Sequence, residues 1–473
     1  MLMPARRNSP IEKGTNRSMT GTSEDPGATY SPDARTYTRM GLVALFFWLL
    51  WGDFCFVLME KVEPTLLPLA LKDAGVPNVW IGIIIGTIPS IMSIFINPIV
   101  SYKSDRYRSK WGRRIPFLVF ATPFVTMFLI LIGFSLPIAR FLHNRLALQF
   151  DSFGLSGVSV ILAVVTLFVI GFQFFNIVVS STYSYLFADV VPKHVMGRFV
   201  SLFRVAGAGA SFTWSYWIFG LASTHMTAIY VWLGILYFVV FMLMSWRVKE
   251  GTYPPPAVES RGPGVLGMFR TYLNECFRSH YYLWFFAGMA LFTIAGCGGP
   301  FWVFFYRDTL RLSLDEIGKV LAWCNAAQVV WAIPCGYLVD RIHPVRGYLV
   351  GALGLVATVA LCFFLIQDRQ TMLVFTLLQM TAGTFFSIAL TAIGPVLLPR
   401  ERYGQFSAAN GIVGSLARVL GAGAAGMFMD WIGNYRYVLV WYGGFVAASL
   451  FPMVMVYIGW QRHGGARNYV PPG

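Results

Sequence analysis

The chain has 473 residues, of which 56% are hydrophobic and only 12% charged, with a formal net charge of +15. A soluble domain carries about 25% charged residues, and apolar runs of 18 or more recur along the whole length. The composition therefore excludes a soluble globular protein and a nucleic-acid-binding face; the runs read as membrane-spanning helices and the excess of Lys and Arg as loop charge.

Residues 1–38 are polar and rich in Ser, Thr, Gly and Pro. They lack the apolar core of a cleavable signal peptide and read as a disordered cytoplasmic tail. Twelve spans follow, each needing ~20 apolar residues: 40–63, 79–101, 115–137, 160–187, 198–221, 227–247, 282–306, 316–339, 347–367, 371–397, 406–430 and 437–460. The stretch 248–280, charged and Pro-rich and then amphipathic, is the one credible linker. It divides the chain into an N-terminal bundle (39–247), a central cytoplasmic loop (248–280), a C-terminal bundle (281–461) and a cytoplasmic tail (462–473). The expected fold is an all-α integral membrane protein of two pseudo-symmetric six-helix bundles. With helix ends counted, the loops after spans two, four, six, eight and ten hold 17 Lys/Arg against about 7 in the opposite loops. Both termini are therefore expected in the cytoplasm of a plasma or inner membrane. The six cysteines show no metal-ligand spacing, and no metal or cofactor is expected.

The loop after span two, "KSDRYRSKWGRR" (103–114), packs six basic residues between two apolar runs. "SYKSDR" (101–106) returns as "GYLVDR" (336–341) after span eight. "DVVPKHVMGRF" (189–199) at the end of span four returns as "VLLPRERYGQF" (396–406) at the end of span ten. Two homologous halves joined by one long loop are the plan of a transporter with parallel repeats. "SDRYRSKWGRRIPF" (104–117) resembles the loop signature of the major facilitator superfamily. It is most similar to the glycoside–pentoside–hexuronide:cation symporters and the sucrose-type proton symporters, through Asp105, Arg106, Gly112, Arg113, Arg114 and Pro116. "WGDF" (51–54) resembles the first helix of the sugar:cation group, in which an acid serves sugar binding. The resemblance implies a cytoplasmic gate formed by Asp105, Arg106, Gly112, Arg113 and Arg114, with the repeated Asp340 and Arg341 as its counterpart. Asp105 is expected to pair with Arg106 or Arg113, or to face the start of span eleven, and so to hold the halves closed.

An ionisable group inside the bilayer is a functional candidate by default. Asp53 lies ~16 Å past Leu42 along span one, near the midplane. Glu60, seven residues on, shares its face and is expected near the outer surface, beside Lys61 and Glu63, with Pro64 and Pro68 loosening the helix end. Arg418, ~21 Å from Gly404 on span eleven, is deep, and Asp53 is its natural partner by depth; Arg204, ~10 Å from Gly197, is shallower. Gln173, Asn176, Ser180 and Ser184 form one stripe on span four. Asn325 and Gln328 on span eight, with Gln379, Thr384 and Ser387 on span ten, add groups that both donate and accept, as sugar hydroxyls require. "AGCGGPFW" (295–302) breaks span seven. With no nucleophile–base string, metal motif or nucleotide loop, an enzyme is not expected. The residues and the resemblance imply a monomeric secondary transporter that moves a small polar solute, a sugar, by cation symport, with the proton as the cation. Another solute class on the same scaffold, such as nucleosides, peptidoglycan fragments or drugs, and a non-transporting receptor are the alternatives.

Overall fold

A computed structural model describes residues 38–145, 156–192, 195–250 and 276–472. The expected tail 1–37 and residues 251–275 of the expected central loop lie outside the described residues. The described residues contain helices and no strand; a single isolated bridge joins Ser109 and Gly112. Among the described residues ten stretches are long and apolar enough to cross a membrane. One of them, Met196–Arg247, runs 52 residues, about 78 Å at 1.5 Å per residue. That far exceeds one ~30 Å crossing, and the backbone leaves helical geometry at His225 (φ −127°, ψ 33°), so it is two helices. Leu314–Ile342 is also a long helix, made less apolar by Asn325 and Gln328.

The long helices are α1 (Arg39–Asp73), α2 (Asn78–Arg106), α3 (Ile115–Gly133), α4 (Gly157–Val190), α5 (Met196–Thr213, continued to Leu221), α6 (Ala222–Arg247), α7 (His280–Gly296, resumed to Thr309), α8 (Leu314–Ile342), α9 (Pro344–Leu365), α10 (Arg369–Leu397), α11 (Tyr403–Ile432) and α12 (Val438–Arg462). Local chemistry sets their starts. The Thr38 hydroxyl accepts the Gly41 N–H at 3.1 Å, and Ser156 accepts the Ser159 N–H at 3.3 Å. Ser313 with Glu316, and Asp368 with Thr371, form reciprocal capping boxes at α8 and α10. The expected break in α7 is present: a 3₁₀ turn at Gly299–Phe301 and a π turn at Phe305–Thr309.

One boundary differs in a way that matters. Span one does not end at residue 63. The helix continues through Pro64 and Pro68 to Asp73, because neighbouring helices and side chains inside a membrane bundle re-satisfy the groups that a proline frees. Within the helix, the Thr65 hydroxyl also donates to the Lys61 carbonyl at 2.5 Å.

In the N-terminal half α1 packs on α5 and α6, and α3 on α4 and α6; in the C-terminal half α7 packs on α12, and α9 on α10 and α12. An aromatic core of Phe56, Tyr183, Tyr237 and Phe241 binds α1, α4 and α6. The halves meet along α2–α11 and α5–α8. The approach is close enough to require glycine: a Cβ on Gly82 would lie 2.1 Å from the Ala422 carbonyl oxygen, and one on Gly318 would lie 2.2 Å from that of Ser215.

Candidate functional site

The loops after α2, α4, α8 and α10 form one face of the molecule, termed the basic-loop face; the loops after α1, α7 and α11 form the opposite face. The halves are joined near the opposite face. Asp430, at the end of α11, accepts the N–H groups of Asn78 and Val79 (both 2.9 Å) and the Asn78 amide (2.8 Å) at the start of α2. Tyr435 donates to the Asn78 amide oxygen at 2.9 Å, Thr87 to the Val419 carbonyl at 2.9 Å, and Arg307 pairs with Asp73 at 3.0 Å. These contacts close that end.

Below the closure lies a cavity of about 960 Å³ lined by α1, α5, α7, α8, α10 and α12. Asn325, Gln328, Gln379, Thr384 and Ser387 face it, as do the aromatic residues Trp302, Tyr306 and Tyr442 and the cations Lys61 and Arg204. Arg204 stands eight residues from Met196, about 12 Å from the basic-loop end of α5, so the cavity is entered from the basic-loop face. Here the amides and hydroxyls expected from spans eight and ten come together. They can serve a ring of hydroxyls as donors and acceptors, and the aromatic residues supply flat apolar surfaces for its faces.

The span-four stripe is placed differently. Gln173, Asn176, Ser180 and Ser184 do not line this cavity. Gln173 donates from Nε2 to Glu63 Oε2 at 3.4 Å, and the Asn176 amide oxygen is buried without a hydrogen-bond partner. Ser180 and Ser184 bond to carbonyls of their own helix.

The extension of α1 moves its acids inward. From the midpoint of Arg39–Asp73, residue 56, Asp53, Glu60 and Glu63 lie about 4.5, 6 and 10.5 Å along the axis. Glu60 is therefore well inside the helix and not at its outer end. Asp53 is 2% exposed, its Oδ2 has no partner, and a Cβ on Gly207 of α5 would be 3.8 Å from that oxygen. Glu63 is 3% exposed and its Oε1 is likewise unpartnered. The helix end expected at residue 63 placed this third acid at the outer surface; the longer helix places it inside. The expected partnership of Asp53 with Arg418 is absent: among the described residues neither forms an ion pair. Arg418 is exposed on α11 outside the cavity lining, and its carbonyl lies 4.0 Å from the Cys297 sulfur. Depth along a helix does not fix which way the side chain faces.

The basic loop forms a network. Arg114 pairs with Asp105 and binds the Ser104 hydroxyl. Asp189, at the end of α4, receives Arg113 at 3.0 and 2.5 Å and Arg114 at 3.1 Å. Glu250, 7% exposed just beyond α6, accepts the N–H groups of Arg113 (2.8 Å), Arg114 (2.8 Å) and Ile115 (2.6 Å) and so caps α3. Gly112 has φ +111°, and a Cβ there would lie 2.5 Å from Glu250. Arg106 stacks on Tyr102. Among the described residues, the partners named here lie in the N-terminal half and, for Glu250, at the start of the central loop. In this conformation the network ties together the ends of α2, α3, α4 and α6; among the described residues the expected clasp between halves, and the contact of Asp105 with span eleven, are not seen. Asp340 and Arg341 are exposed and form no ion pair among the described residues. The two repeats show why: Val396 stands where the first half has Asp189, and the basic pair Arg113–Arg114 has no counterpart after Arg341.

Outside the membrane-spanning segments, the Asp368 carboxyl is held below its usual range by the N–H and hydroxyl of Thr371. The His343 imidazole is lowered by burial and, second, by the charge of Arg346. Among the described residues there is no group of three or more His, Cys, Asp or Glu able to hold a metal.

A family model described as MFS/sugar transport protein matches residues 66–436. The General alpha-glucoside permease of Schizosaccharomyces pombe is 26% identical over 220 residues, 45% of this chain and 37% of that protein. The Sucrose transport protein SUC4 of Arabidopsis thaliana is 30% identical over 84 residues, 18% of this chain and 16% of that protein. The matches thus span well under two thirds of either relative. The crystal structure of a bacterial homologue of iron transporter ferroportin in inward-facing state superposes with a TM-score of 0.64 at 14% identity, covering 88% of this chain and 99% of that one. At that identity the likeness shows the fold alone.

Proposed function

The chain belongs to the MFS/sugar transport protein family, and we propose that this major facilitator transporter carries a small sugar across the membrane by proton symport with alternating access. The cavity between the halves is the observation that carries the reading. It is closed at one face and presents amide and hydroxyl side chains of α8 and α10 beside aromatic ones. Asn325, Gln328, Gln379, Thr384 and Ser387 bind sugar hydroxyls, while Trp302, Tyr306 and Tyr442 pack on the ring faces. The α1 acids Asp53, Glu60 and Glu63, of which Asp53 and Glu63 are buried, supply the proton-carrying group, and Gln173 and Asn176 anchor α4 beside them. Arg418, on a helix that joins the halves, reaches the pathway only in the opposite conformation.

The network of Asp105, Arg106, Gly112, Arg113 and Arg114 with Asp189 and Glu250 makes the N-terminal half rock as one body. The exposed Asp340 and Arg341 are available to engage it when the basic-loop face closes. By the excess of Lys and Arg in its loops that face is cytoplasmic, and the conformation described is inward-facing. The protein works as a monomer in the plasma or inner membrane. Uptake of radiolabelled maltose and sucrose by transport-deficient cells expressing the chain tests the reading. Saturable uptake, weakened by Gln328→Ala, is expected; uptake no greater than in control cells rejects it.

A further inference from the structure

We propose that Glu63, and not Asp53, carries the coupled proton. This rests on the symport reading above and names the residue within the α1 acid set.

The partners around Glu63 are unevenly arranged. Glu63 lies between α1, α4 and α6. From α4, Gln173 donates one hydrogen bond to Oε2, at 3.4 Å. From α6, Tyr230 stands close enough to interact electrostatically with the carboxyl. Its hydroxyl is buried and unpartnered, as is Glu63 Oε1. On α1 itself the charged neighbours are Glu60 and Lys61, and Lys61 acts on Glu60 and lines the cavity. Among the described residues no Lys, Arg or His forms an ion pair with Glu63. An ionised carboxylate here would face one weak amide donor and no cation, at a cost of several kcal/mol. A proton on Oε1 removes that charge and supplies a donor to surroundings that contain unmet acceptors.

The next residues, Pro64 and Thr65, line the cavity, so Glu63 sits one residue behind the solute-binding surface. Pro64 has no N–H to give the Glu60 carbonyl, which leaves the helix backbone one bond short beside the carboxyl. Gln173 belongs to α4, which does not line the cavity. The Glu63–Gln173 bond therefore links the charge state of a cavity helix to the packing of the bundle behind it. Asp53 has no such cross-helix hydrogen bond among the described residues; it abuts the bare backbone of α5 at Gly207. The step balances simply. One proton passes from water at the opposite face to the Glu63 carboxylate, making the neutral acid. After the halves rock, it passes to water at the basic-loop face and regenerates the carboxylate.

The full chain is purified and reconstituted as wild type, Glu63→Gln, Glu63→Asp and Asp53→Asn. Infrared spectra across a pH titration read the C=O band of a neutral carboxylic acid and need no sugar. The band is expected to lose its titrating component in Glu63→Gln, to keep it in Asp53→Asn, and to shift its midpoint in Glu63→Asp. Retention in Glu63→Gln, or loss in Asp53→Asn alone, overturns the proposal. In proteoliposomes, Glu63→Gln is expected to exchange labelled maltose at equilibrium but not to accumulate it against a gradient. Normal proton-driven accumulation by Glu63→Gln also overturns it. If the wild type moves neither maltose nor sucrose, the sugar reading fails while the infrared titration still decides for or against Glu63. Monodisperse elution of Glu63→Gln guards against simple misfolding.

Discussion

Asp430→Ala removes the junction between α11 and the start of α2. Asp430 accepts three hydrogen bonds from Asn78 and Val79, at 2.8–2.9 Å. All three bonds exist only while the halves are closed at the opposite face. A bond to a charged acceptor contributes about 1.5–3 kcal/mol when desolvated. Asp430 is exposed, so water recovers much of this, and about 0.5–1 kcal/mol per bond remains. The start of α2 adds ~0.3–1 kcal/mol from its dipole. The sum is roughly 2–4 kcal/mol, which at 1.4 kcal/mol per decade moves the ratio of inward- to outward-facing molecules by ~30- to 700-fold. A cysteine at Val303 in the cavity lining reports the change, because the native cysteines are buried. An impermeant maleimide applied to the opposite face should label Val303→Cys faster by a large part of that factor in the Asp430→Ala background. Asp430→Asn, which keeps an acceptor, should fall between. An unchanged rate in Asp430→Ala, and again with Tyr435→Phe added, would refute the idea that these bonds hold the face shut.

Glu250→Ala strips the cap from three N–H groups of α3 and should destabilise the protein by about 2 kcal/mol, lowering the thermal midpoint in detergent; Glu250→Gln should lose less, and equal midpoints for all three would contradict the cap. His343 has a folded pKa below its usual 6.5, so between the two values the unfolded chain binds more protons. Its contribution to stability is full above about 6.5 and is lost as pH falls through the lowered value. Melting at pH 7 and pH 5 should show a larger drop for wild type than for His343→Asn, a replacement that tolerates the φ of +77° found there. Gln328→Ala should weaken sugar binding with little effect on the thermal midpoint, as checked by sugar-dependent tryptophan fluorescence.

The fold was legible because apolar length and loop charge are written residue by residue, and the repeated Asp-Arg and Pro–Gly–Phe strings marked the two halves. The end of α1 was not. Pro64 and Pro68 read as terminators by the rules of water-exposed helices, while a packed membrane bundle tolerates them. That one boundary put Glu63 at the outer surface instead of inside the bundle. The polar stripe on α4 was visible as a stripe, yet periodicity gives a face and not its neighbour, so Gln173 turned out to meet Glu63 instead of the cavity. Asn325, Gln328, Gln379, Thr384 and Ser387 were identifiable because polar side chains on apolar helices need a partner or water. Asp189 and Glu250 reach Arg114 from 75 and 136 residues away, a distance at which spacing carries no signal.

Proteoliposomes containing only this protein, loaded at one pH and diluted into another with labelled maltose or sucrose outside, offer the most direct test of sugar:proton symport. Uptake should overshoot the equilibrium level when the outside is acid, collapse with a protonophore, and acidify the lumen in step with the sugar. Uptake that never exceeds equilibrium and is indifferent to the pH gradient would contradict proton coupling, and no uptake of either sugar would contradict the substrate class.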